Sequence, residues 1–276
     1  MENSTFAFIG AGNMGGAIIK ALCKKCSPSD VFIYDRDVAK AKALSESTGC
    51  VICESADEAI KKAKYIILGV KPNILAPVLE SAFDSIKASY EAGNAQVIVS
   101  IAAGITIDSI KKVLSKGNVD LPVIRLMPNT PVTVGKGLIL IDFSKDTREE
   151  DVDSFMASLS EAGSVQRFPE NLMDCATPVF SSSPAFVYMF IEALSDGGVM
   201  SGLPRDIAIN LAAQAVLGSA AMVLETGQHP GALKDAVCSP AGSTIVGVSQ
   251  LERGAFRSSV SDAVYETYKK VVELAK

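Results

Sequence analysis

The first half of the chain alternates between short apolar runs and longer segments whose apolar residues recur at helical spacing. Apolar runs bounded by Gly, Pro or polar residues predict strands, and the spacing near 3.6 residues predicts helices. The predicted strands are residues 5–9, 31–34, 50–53, 65–70, 96–100, 122–127, 137–141 and 164–167. The predicted helices between them are residues 14–24, 38–47, 56–62, 77–89 and 107–114. This alternation predicts a parallel sheet covered by helices.

The second half of the chain has a different pattern, because strand signals end near residue 168. Residues 173–276 are typical of helices separated by Gly and Pro. We therefore expect an α/β protein with two domains. Residues 1–168 would form the parallel-sheet domain, and residues 169–276 would form an all-helical C-terminal domain.

One helical segment, residues 207–224, contains no charged residue and is long enough to cross a bilayer. It nevertheless holds Asn210 and two further polar residues, is rich in Ala, and is not flanked by clusters of basic residues. A helix that is apolar all round belongs in a protein core or an oligomer interface. We therefore expect a buried helix of a soluble protein here.

Composition narrows the possible partners. With 276 residues, 48% of them hydrophobic, the chain can bury a sizeable core. Its 26 Lys and Arg against 31 Asp and Glu give a net charge of −5, which offers no general attraction to nucleic acid or anionic lipid. Residues 1–5 are polar and lack the features of a signal peptide, so we expect a cytoplasmic protein with no nucleic-acid or membrane partner.

The six cysteines include two pairs with the spacing of zinc ligands, Cys23 with Cys26 and Cys50 with Cys53. The linker between the pairs is longer than usual for a zinc site. Cys50 and Cys53 also fall in a predicted strand, where residues three apart face opposite sides. We expect no metal, and we interpret the cysteines as small buried apolar residues in a reducing compartment.

A glycine-rich turn joins the first predicted strand to the first predicted helix. Its residues are Gly10, Ala11, Gly12, Asn13, Met14 and Gly15. Small residues let a pyrophosphate reach the backbone N–H groups at a helix N-terminus, so the turn predicts a dinucleotide site. Asp35 lies 20 residues beyond Gly15, at the end of the second predicted strand, as this fingerprint requires. We therefore expect a domain of the Rossmann type.

The end of the second strand leaves the choice of cofactor open. Asp35 is expected to accept hydrogen bonds from the adenosine ribose and to repel a 2′-phosphate, which slightly favours NADH. Arg36 next to it is expected to bind a 2′-phosphate, to stack on adenine, or to be a solvated surface charge. We therefore expect NADPH or NADH as cofactor, with NADH used at least as well as NADPH.

Three more loops follow predicted strands at the edge where ligands of open α/β sheets bind. Their candidate cofactor-binding residues are Val70, Lys71 and Pro72 after the fourth strand, Ala102, Ala103 and Gly104 after the fifth, and Asn129 and Thr130 after the sixth. Prolines on both sides of the third pair restrict its backbone and would hold an amide and a hydroxyl towards the nicotinamide. A merely rigid loop is the alternative.

A turn between two predicted helices in the C-terminal half is the candidate substrate site. Ser239 precedes Pro240, as in many helix N-caps, and small residues follow it. Small residues leave the backbone N–H groups of a helix start open to an anion, although an ordinary capped helix has the same pattern. His229, the one histidine of the chain, lies upstream, and we expect it to order the turn rather than to take part in the chemistry.

These motifs, in this order, resemble the pyrroline-5-carboxylate reductase family. Residues 229–235, 239–244 and 251–252 are similar to its signature, and the resemblance extends to residues 8–15, 70–72, 100–104, 127–131, 183–185 and 254–257. It therefore covers nearly the whole chain. The departures are Ala241, where glycine is common, Ala56, where some relatives have a cofactor-binding asparagine, and residues 180–183, which replace a stretch richer in glycine.

The resemblance implies reduction of the C=N bond of Δ1-pyrroline-5-carboxylate to L-proline, the last step of proline biosynthesis, by NADPH or NADH. It implies that Thr244 hydrogen-bonds the imine nitrogen, as the catalytic contact. Ser239 and the backbone N–H groups of Gly242, Ser243 and Thr244 would hold the substrate carboxylate. We expect a homodimer or a larger homo-oligomer such as a decamer.

Two other classes of protein share features with this sequence. A related imine reductase or a β-hydroxyacid dehydrogenase would also join a Rossmann domain to a helical domain, but the latter enzymes usually rely on a lysine of the second domain. Lys234 is available, yet it lies inside the signature of the proline enzyme. A non-catalytic NAD(P)-binding sensor would keep the first domain but would have lost the turn at residues 239–244. This turn is intact in the sequence, which argues against a sensor.

Overall fold

The computed structural model of the protein describes residues 4–274. Its strands are β1 (Phe6–Ile9), β2 (Val31–Tyr34), β3 (Val51–Ile52), β4 (Tyr65–Leu68), β5 (Val97–Ser100), β6 (Val123–Pro128), β7 (Gly137–Phe143) and β8 (Gly163–Arg167). The helices of the sheet-containing part are α1 (Asn13–Lys25), α2 (Val38–Thr48), α3 (Ala56–Lys62), α4 (Pro72–Ser81), α5 (Phe83–Glu91), α6 (Ile107–Lys116), α7 (Glu149–Ser158) and α8 (Glu170–Thr177). The helices that follow are α9 (Ser183–Met200), α10 (Arg205–Thr226), α11 (Pro230–Val237), α12 (Ser243–Arg253) and α13 (Phe256–Leu274).

The eight strands form one sheet in the order β3-β2-β1-β4-β5-β6-β7-β8. All neighbouring pairs are parallel except β6 and β7, which run antiparallel. Residues 129–136, which join β6 to β7, are too few for the crossover that a parallel pair requires. The predicted α/β class with a Rossmann-type sheet is therefore confirmed, with one antiparallel pair added. The order reverses next to β1, and open sheets bind ligands at such a reversal.

The strand residues alternate between two apolar layers, one on each face of the sheet. In β1, Phe6 and Phe8 belong to one layer, and Ala7 and Ile9 belong to the other. Cys50 and Cys53, which flank β3, are divided between the layers in the same way. Because both faces are covered by helices, the strands are continuous apolar runs, and this is why the sequence reveals them clearly.

The described residues fall into two compact units, 4–181 with 271–274, and 182–270. The predicted boundary at residue 168 differs from this division by residues 169–181, which include α8. Met173 of α8 is fully buried and packs with Met127 and Leu140 of the sheet, which places this helix with the first unit. The division at residue 168 stays a prediction about independently folding domains.

Two helices of the first unit differ from the sequence prediction. Instead of one helix at residues 77–89, α4 begins at Pro72 and α5 ends at Glu91. Pro72 occupies the first helical position that the prediction had given to Pro77, and Pro77 lies inside α4. Helix α7 was not predicted, because its first turn is acidic and it buries few apolar side chains besides Val152 and Phe155.

Helix α10 contains the uncharged segment 207–224, which is mostly exposed in the single chain, so its expected burial in an oligomer interface stays a prediction. Its buried residues are Ala208 and Ala212, whereas Leu211 and Leu217 are more than half exposed. By length and composition alone α10 could also cross a membrane. Within the second unit α10 packs on α9, where Gly198 leaves room for the side chain of Ala208.

Tyr65→Phe is expected to lower the free energy of unfolding by about 1 kcal/mol, because a buried hydrogen bond is lost. Tyr65 is fully buried, and its hydroxyl donates to the backbone oxygen of Asp151 at 2.8 Å. Urea denaturation would measure the change. Tyr90→Phe is the matched control, since the Tyr90 side chain is 51% exposed. Equal effects of the two substitutions would contradict a stabilising role for the Tyr65 hydroxyl.

Candidate functional site

The glycine-rich turn leaves β1 in a backbone conformation that requires glycine. Gly10 has a φ of +96°, and its N–H donates to the carbonyl oxygen of Tyr34 at 2.8 Å. A Cβ on Gly10 would lie 2.8 Å from the carbonyl oxygen of Gly69, and a Cβ on Gly15 would lie 3.0 Å from the carbonyl oxygen of Gly10. The turn can therefore pass this close to the residue after β4 and to α1 only without side chains at these positions.

Helix α1 begins within the glycine-rich segment, at Asn13, with no side chain capping it. Gly12 is its N-cap residue, and an added Cβ there would meet no atom within 4 Å. Asn13 is exposed beside it, so the start of the helix faces open space. Uncapped N–H groups and the positive end of the helix dipole favour an anion, which suits a pyrophosphate.

A cavity of about 880 Å³ opens beside this helix start, at the carboxyl ends of β1, β2 and β4. Several predicted cofactor-binding residues line it together: Gly10, Gly12, Asp35, Arg36, Val70 and Lys71. The cavity is not lined by the other predicted residues, which are Ala11, Asn13, Met14, Gly15, Pro72, Ala102, Ala103, Gly104, Asn129 and Thr130. Its size is within the range of small-molecule and cofactor sites.

The predictions missed several residues that line this cavity. Lys40, Asp57 and Asn73 are among those with polar or charged side chains. They lie in the first turns of α2, α3 and α4, which all begin at the same edge of the sheet. That common position was the signal that could have identified them. With Arg36 and Lys71, the lining carries three cations against two carboxylates, so it suits an anionic ligand.

Asp35 is occupied by backbone contacts. Its two carboxylate oxygens accept from the N–H of Ala11 at 2.6 Å and from the N–H of Asp37 at 2.8 Å. The side chain therefore ties the glycine-rich turn to the start of α2. Such charge-assisted bonds hold the carboxylate in one orientation.

Hydrogen bonds hold the loops that follow β5 and β6. Ala102 is buried, and its N–H donates to the Ser100 hydroxyl at 3.2 Å, whereas Ala103 and Gly104 are exposed. The Asn129 side chain is only 8% exposed. Its amide nitrogen donates to the carbonyl oxygen of Phe180 at 2.9 Å and its amide oxygen accepts from the N–H of Leu138 at 2.8 Å.

The Asn129 amide therefore stabilises the loop, and its expected contact with a nicotinamide stays a prediction, because an amide has two donors and two acceptor lone pairs. Thr130 is exposed and begins a 3₁₀ turn, Thr130–Val134. A contact from this loop to the cofactor stays a prediction, and Thr130 is the better placed of the pair to make it.

The candidate substrate turn lies between α11 and α12. Ser239 is not the N-cap of the following helix, as the sequence suggested, because α12 begins at Ser243 with Gly242 as its N-cap. The difference arises at Ala241, whose φ of +56° inserts a turn after Pro240. The left-handed backbone of Ala241 explains why glycine suits this position.

The start of α12 is open to a ligand. No side chain caps it, and Ser239, Ser243 and Thr244 are exposed. The N–H of Gly242 donates to the carbonyl oxygen of Ser239 at 3.0 Å, whereas the N–H groups of Ser243 and Thr244 have no partner within residues 4–274. A Cβ on Gly242 would lie 2.3 Å from the Ser239 hydroxyl, so glycine allows the turn to close.

His229 stabilises the start of α11, the helix before this turn, and its expected role in ordering residues 239–244 stays a prediction. It is the N-cap residue of α11, and its Nδ1 accepts from the N–H of Gly231 at 3.0 Å. Across residues 4–274, no group of three or more His, Cys, Asp or Glu side chains is arranged to hold a metal ion.

Comparisons with known proteins cover both units. The family model described as pyrroline-5-carboxylate reductase dimerisation matches residues 170–274, and that described as NADP oxidoreductase, coenzyme F420-dependent, matches residues 5–104. The pyrroline-5-carboxylate reductase of Escherichia coli (strain K12) is 40% identical over 271 residues, which are 98% of this chain and 97% of that protein.

Two solved structures share the fold along the entire chain. The Plasmodium falciparum pyrroline carboxylate reductase with NADP bound has a TM-score of 0.84 at 28% identity, and covers 100% of both chains. A pyrroline-5-carboxylate reductase from Coxiella burnetii has a TM-score of 0.88 at 27% identity, also with 100% coverage of both. With its two sites and these matches, the chain belongs to the pyrroline-5-carboxylate reductase family.

Proposed function

We propose that this protein reduces Δ1-pyrroline-5-carboxylate to L-proline, the last step of proline biosynthesis, as an oxidoreductase that acts on a C=N bond. The observation that carries the proposal is the uncapped start of α12, with two free N–H groups beside three exposed hydroxyl side chains. The substrate has one carboxylate and one imine nitrogen, and this surface offers donors to both. The E. coli relative and the two solved structures carry the name of this activity.

NAD(P)H fits the first unit, because the open space at Gly12 and the uncapped N–H groups of α1 match a pyrophosphate. When bound, it supplies the hydride that reduces the imine carbon. Gly10 and Gly15 keep the turn close to the sheet, and Asp35 fixes the turn to α2. Loops that follow β4, β5 and β6 are expected to surround the nicotinamide half, with Lys71 and Thr130 exposed there.

In the second unit, the N–H groups of Ser243 and Thr244 and the hydroxyl of Ser239 would hold the substrate carboxylate. Gly242 contributes by leaving room for the turn, since its own N–H is bonded to Ser239. The Thr244 hydroxyl would hydrogen-bond the imine nitrogen and orient the C=N bond. A protonated imine is already electrophilic, so one oriented hydroxyl suffices without a histidine base.

Purified protein mixed with pyrroline-5-carboxylate and reduced cofactor tests this function. We expect loss of the reduced-cofactor absorbance together with stoichiometric formation of L-proline, identified by chromatography. Each cofactor is assayed separately, and a reaction without the imine is the control. Absence of L-proline with either cofactor would refute the proposal. Turnover of other cyclic imines but not this one would favour the related imine reductases.

We also propose that the protein is cytoplasmic and forms a homodimer, or a larger assembly such as a decamer, through its C-terminal helices. The match to a dimerisation family model over residues 170–274 supports the homo-oligomer. The exposed apolar side chains of α10 support burial against a second copy rather than contact with lipid, because the segment contains Asn210 and Gln214. No nucleic-acid partner is expected from the net charge of −5.

Light scattering is expected to give a mass at least twice that of the 28.9 kDa chain. Leu217→Glu should shift the protein towards smaller species, because it places a charge on an apolar surface of α10 where the native side chain is 57% exposed. Lys42→Glu on the exposed face of α2 is the control and should leave the mass unchanged. A monomeric native protein would contradict the assignment of α10 to an interface.

A further inference from the structure

Three of the six cysteines lie on the same side of the sheet, which their spacing in the sequence does not suggest. Cys50 belongs to the apolar layer that α1 covers, and Cys23 and Cys26 at the end of α1 pack against this layer. Cys53, the sequence neighbour of Cys50, belongs to the opposite layer. The structure therefore separates Cys50 from Cys53 and brings it to the cysteines of α1, and all of these are free thiols.

The two segments that carry these cysteines are in contact. A Cβ added to Gly49, the residue before Cys50, would lie 3.4 Å from the Cβ of Pro28, in the turn after α1. The N–H of Cys50 donates to the Thr48 hydroxyl at 3.3 Å, and its carbonyl oxygen accepts from the Ser45 hydroxyl at 2.6 Å. The backbone of Cys50 is thus held in place against the end of α1.

Cys23 is the cysteine of α1 that interacts with Cys50. Hydrogen bonding between the two side chains is the largest influence on both thiols, and it raises the pKa of Cys23 and lowers the pKa of Cys50. The pKa of Cys26 is raised mainly by its burial. When the pair loses a proton, the remaining proton therefore stays on Cys23, and Cys50 becomes the thiolate, which is the reactive form of cysteine.

Access to this pair favours a small oxidant. Cys50 is 2% exposed, whereas Cys23 beside it is partly exposed. A bulky disulfide reagent cannot reach a buried sulfur without opening the fold, but hydrogen peroxide is little larger than water. A buried thiolate next to a second thiol has the arrangement in which oxidation ends in a disulfide rather than in a higher oxide.

We propose that Cys23 and Cys50 form a reversible disulfide when the protein meets a peroxide. The Cys50 thiolate attacks one peroxide oxygen, the O–O bond breaks, and Cys50 becomes a sulfenic acid as hydroxide leaves. The Cys23 sulfur then attacks the Cys50 sulfur, the S–S bond forms, and the hydroxyl group leaves with the Cys23 proton as water. Two thiols are oxidised and one peroxide is reduced, and the hydroxide takes the proton that Cys50 had lost to form the second water.

The disulfide would join α1 to the turn between α2 and β3. Cys23 lies near the C-terminal end of α1, about 15 Å along the helix from its open start at Gly12. We therefore expect the cross-link to stabilise the fold, since it closes a loop in the unfolded chain, and to leave the pyrophosphate site accessible. The proposal does not depend on the reaction proposed above.

Peptide mapping of the intact protein after treatment with hydrogen peroxide tests the proposal. The remaining thiols are alkylated under denaturing conditions before digestion. Trypsin releases Cys23 in residues 21–24, apart from Cys26, and releases Cys50 in residues 43–61. Mass spectrometry should find these two peptides joined, and dithiothreitol should separate them. The melting temperature of the oxidised protein should rise by about 5 °C, and its NADP⁺ affinity should stay within about twofold.

Two variants make the mapping specific. Cys23→Ser removes the thiol that would resolve the sulfenic acid, so no cross-link should form and Cys50 should be oxidised further, to the sulfinic acid. Cys53→Ser is the matched control, because it removes the other thiol of residues 43–61 and should leave the cross-link intact.

Three results would overturn the proposal. They are full alkylation of both Cys23 and Cys50 after peroxide treatment, a link from Cys50 to Cys26 or Cys53, and a Cys50 disulfide that joins two copies of the chain on a non-reducing gel. Turnover enters none of these measurements. A protein that forms the disulfide but no L-proline would refute the proposed reaction and leave this inference standing.

Discussion

Thr244→Ala is expected to lower turnover about ten- to a thousandfold, as the loss of one oriented contact to the reacting group would. The Thr244 hydroxyl makes no hydrogen bond within residues 4–274, and the residue lies in the exposed first turn of α12. The protein therefore has no structural need for this hydroxyl, and alanine is a better helix former than threonine. Steady-state kinetics at saturating pyrroline-5-carboxylate and NADPH would measure the effect.

Two variants make the Thr244 experiment specific. Thr244→Ser keeps a hydroxyl and should recover most of the turnover. Ser249→Ala removes another exposed hydroxyl from α12 and should behave like the native protein. NADP⁺ affinity should stay within about twofold in all three variants, because α12 belongs to the other unit from the glycine-rich turn. Native turnover in Thr244→Ala would show that the imine nitrogen is bound elsewhere.

Gly12→Ala is expected to weaken cofactor binding about tenfold to a hundredfold while the protein stays folded. Gly12 has a φ of −61°, which alanine adopts freely, and its added Cβ would meet no protein atom within 4 Å. The methyl group would instead occupy the space that a pyrophosphate needs in order to reach the N–H groups of α1. Titration with NADP⁺ and thermal denaturation of the same samples would separate binding from folding.

Gly10→Ala provides the contrast. Its φ of +96° and the 2.8 Å approach to the carbonyl oxygen of Gly69 mean that a side chain must displace the turn. We expect a loss of stability of about 2 kcal/mol or more as well as a loss of binding. If Gly12→Ala bound NADP⁺ as tightly as the native protein, the pyrophosphate would not lie at the start of α1.

The sequence predicts the sheet and the cofactor loop well, because both depend on local pattern. Strand β2 and helix α3 begin and end at the predicted residues. Strands buried on both faces are continuous apolar runs, and the φ required at Gly10 permits little but glycine. These signals involve residues close together in the chain and need no knowledge of tertiary contacts.

The parts that could not be predicted depend on distant partners. The Asn129 amide is bonded to Leu138 and Phe180, and Phe180 lies 51 residues away in the chain. The two backbone N–H groups that donate to Asp35 come from different loops, so its role in joining these loops is visible only in the folded structure. At residues 239–244, the pattern of Ser before Pro suggests a cap, but the positive φ of Ala241 moves the helix start to Ser243.

The exposed apolar surface of α10 makes the activity per molecule depend on the concentration of the protein. A helix of 22 residues with two buried alanines receives little stabilisation from its own chain, so a second copy must supply the rest. The fraction of assembled protein then rises with total concentration. Activity per molecule would fall on dilution, and a cell that makes very little of this protein would lose more proline synthesis than the shortage of chains alone accounts for.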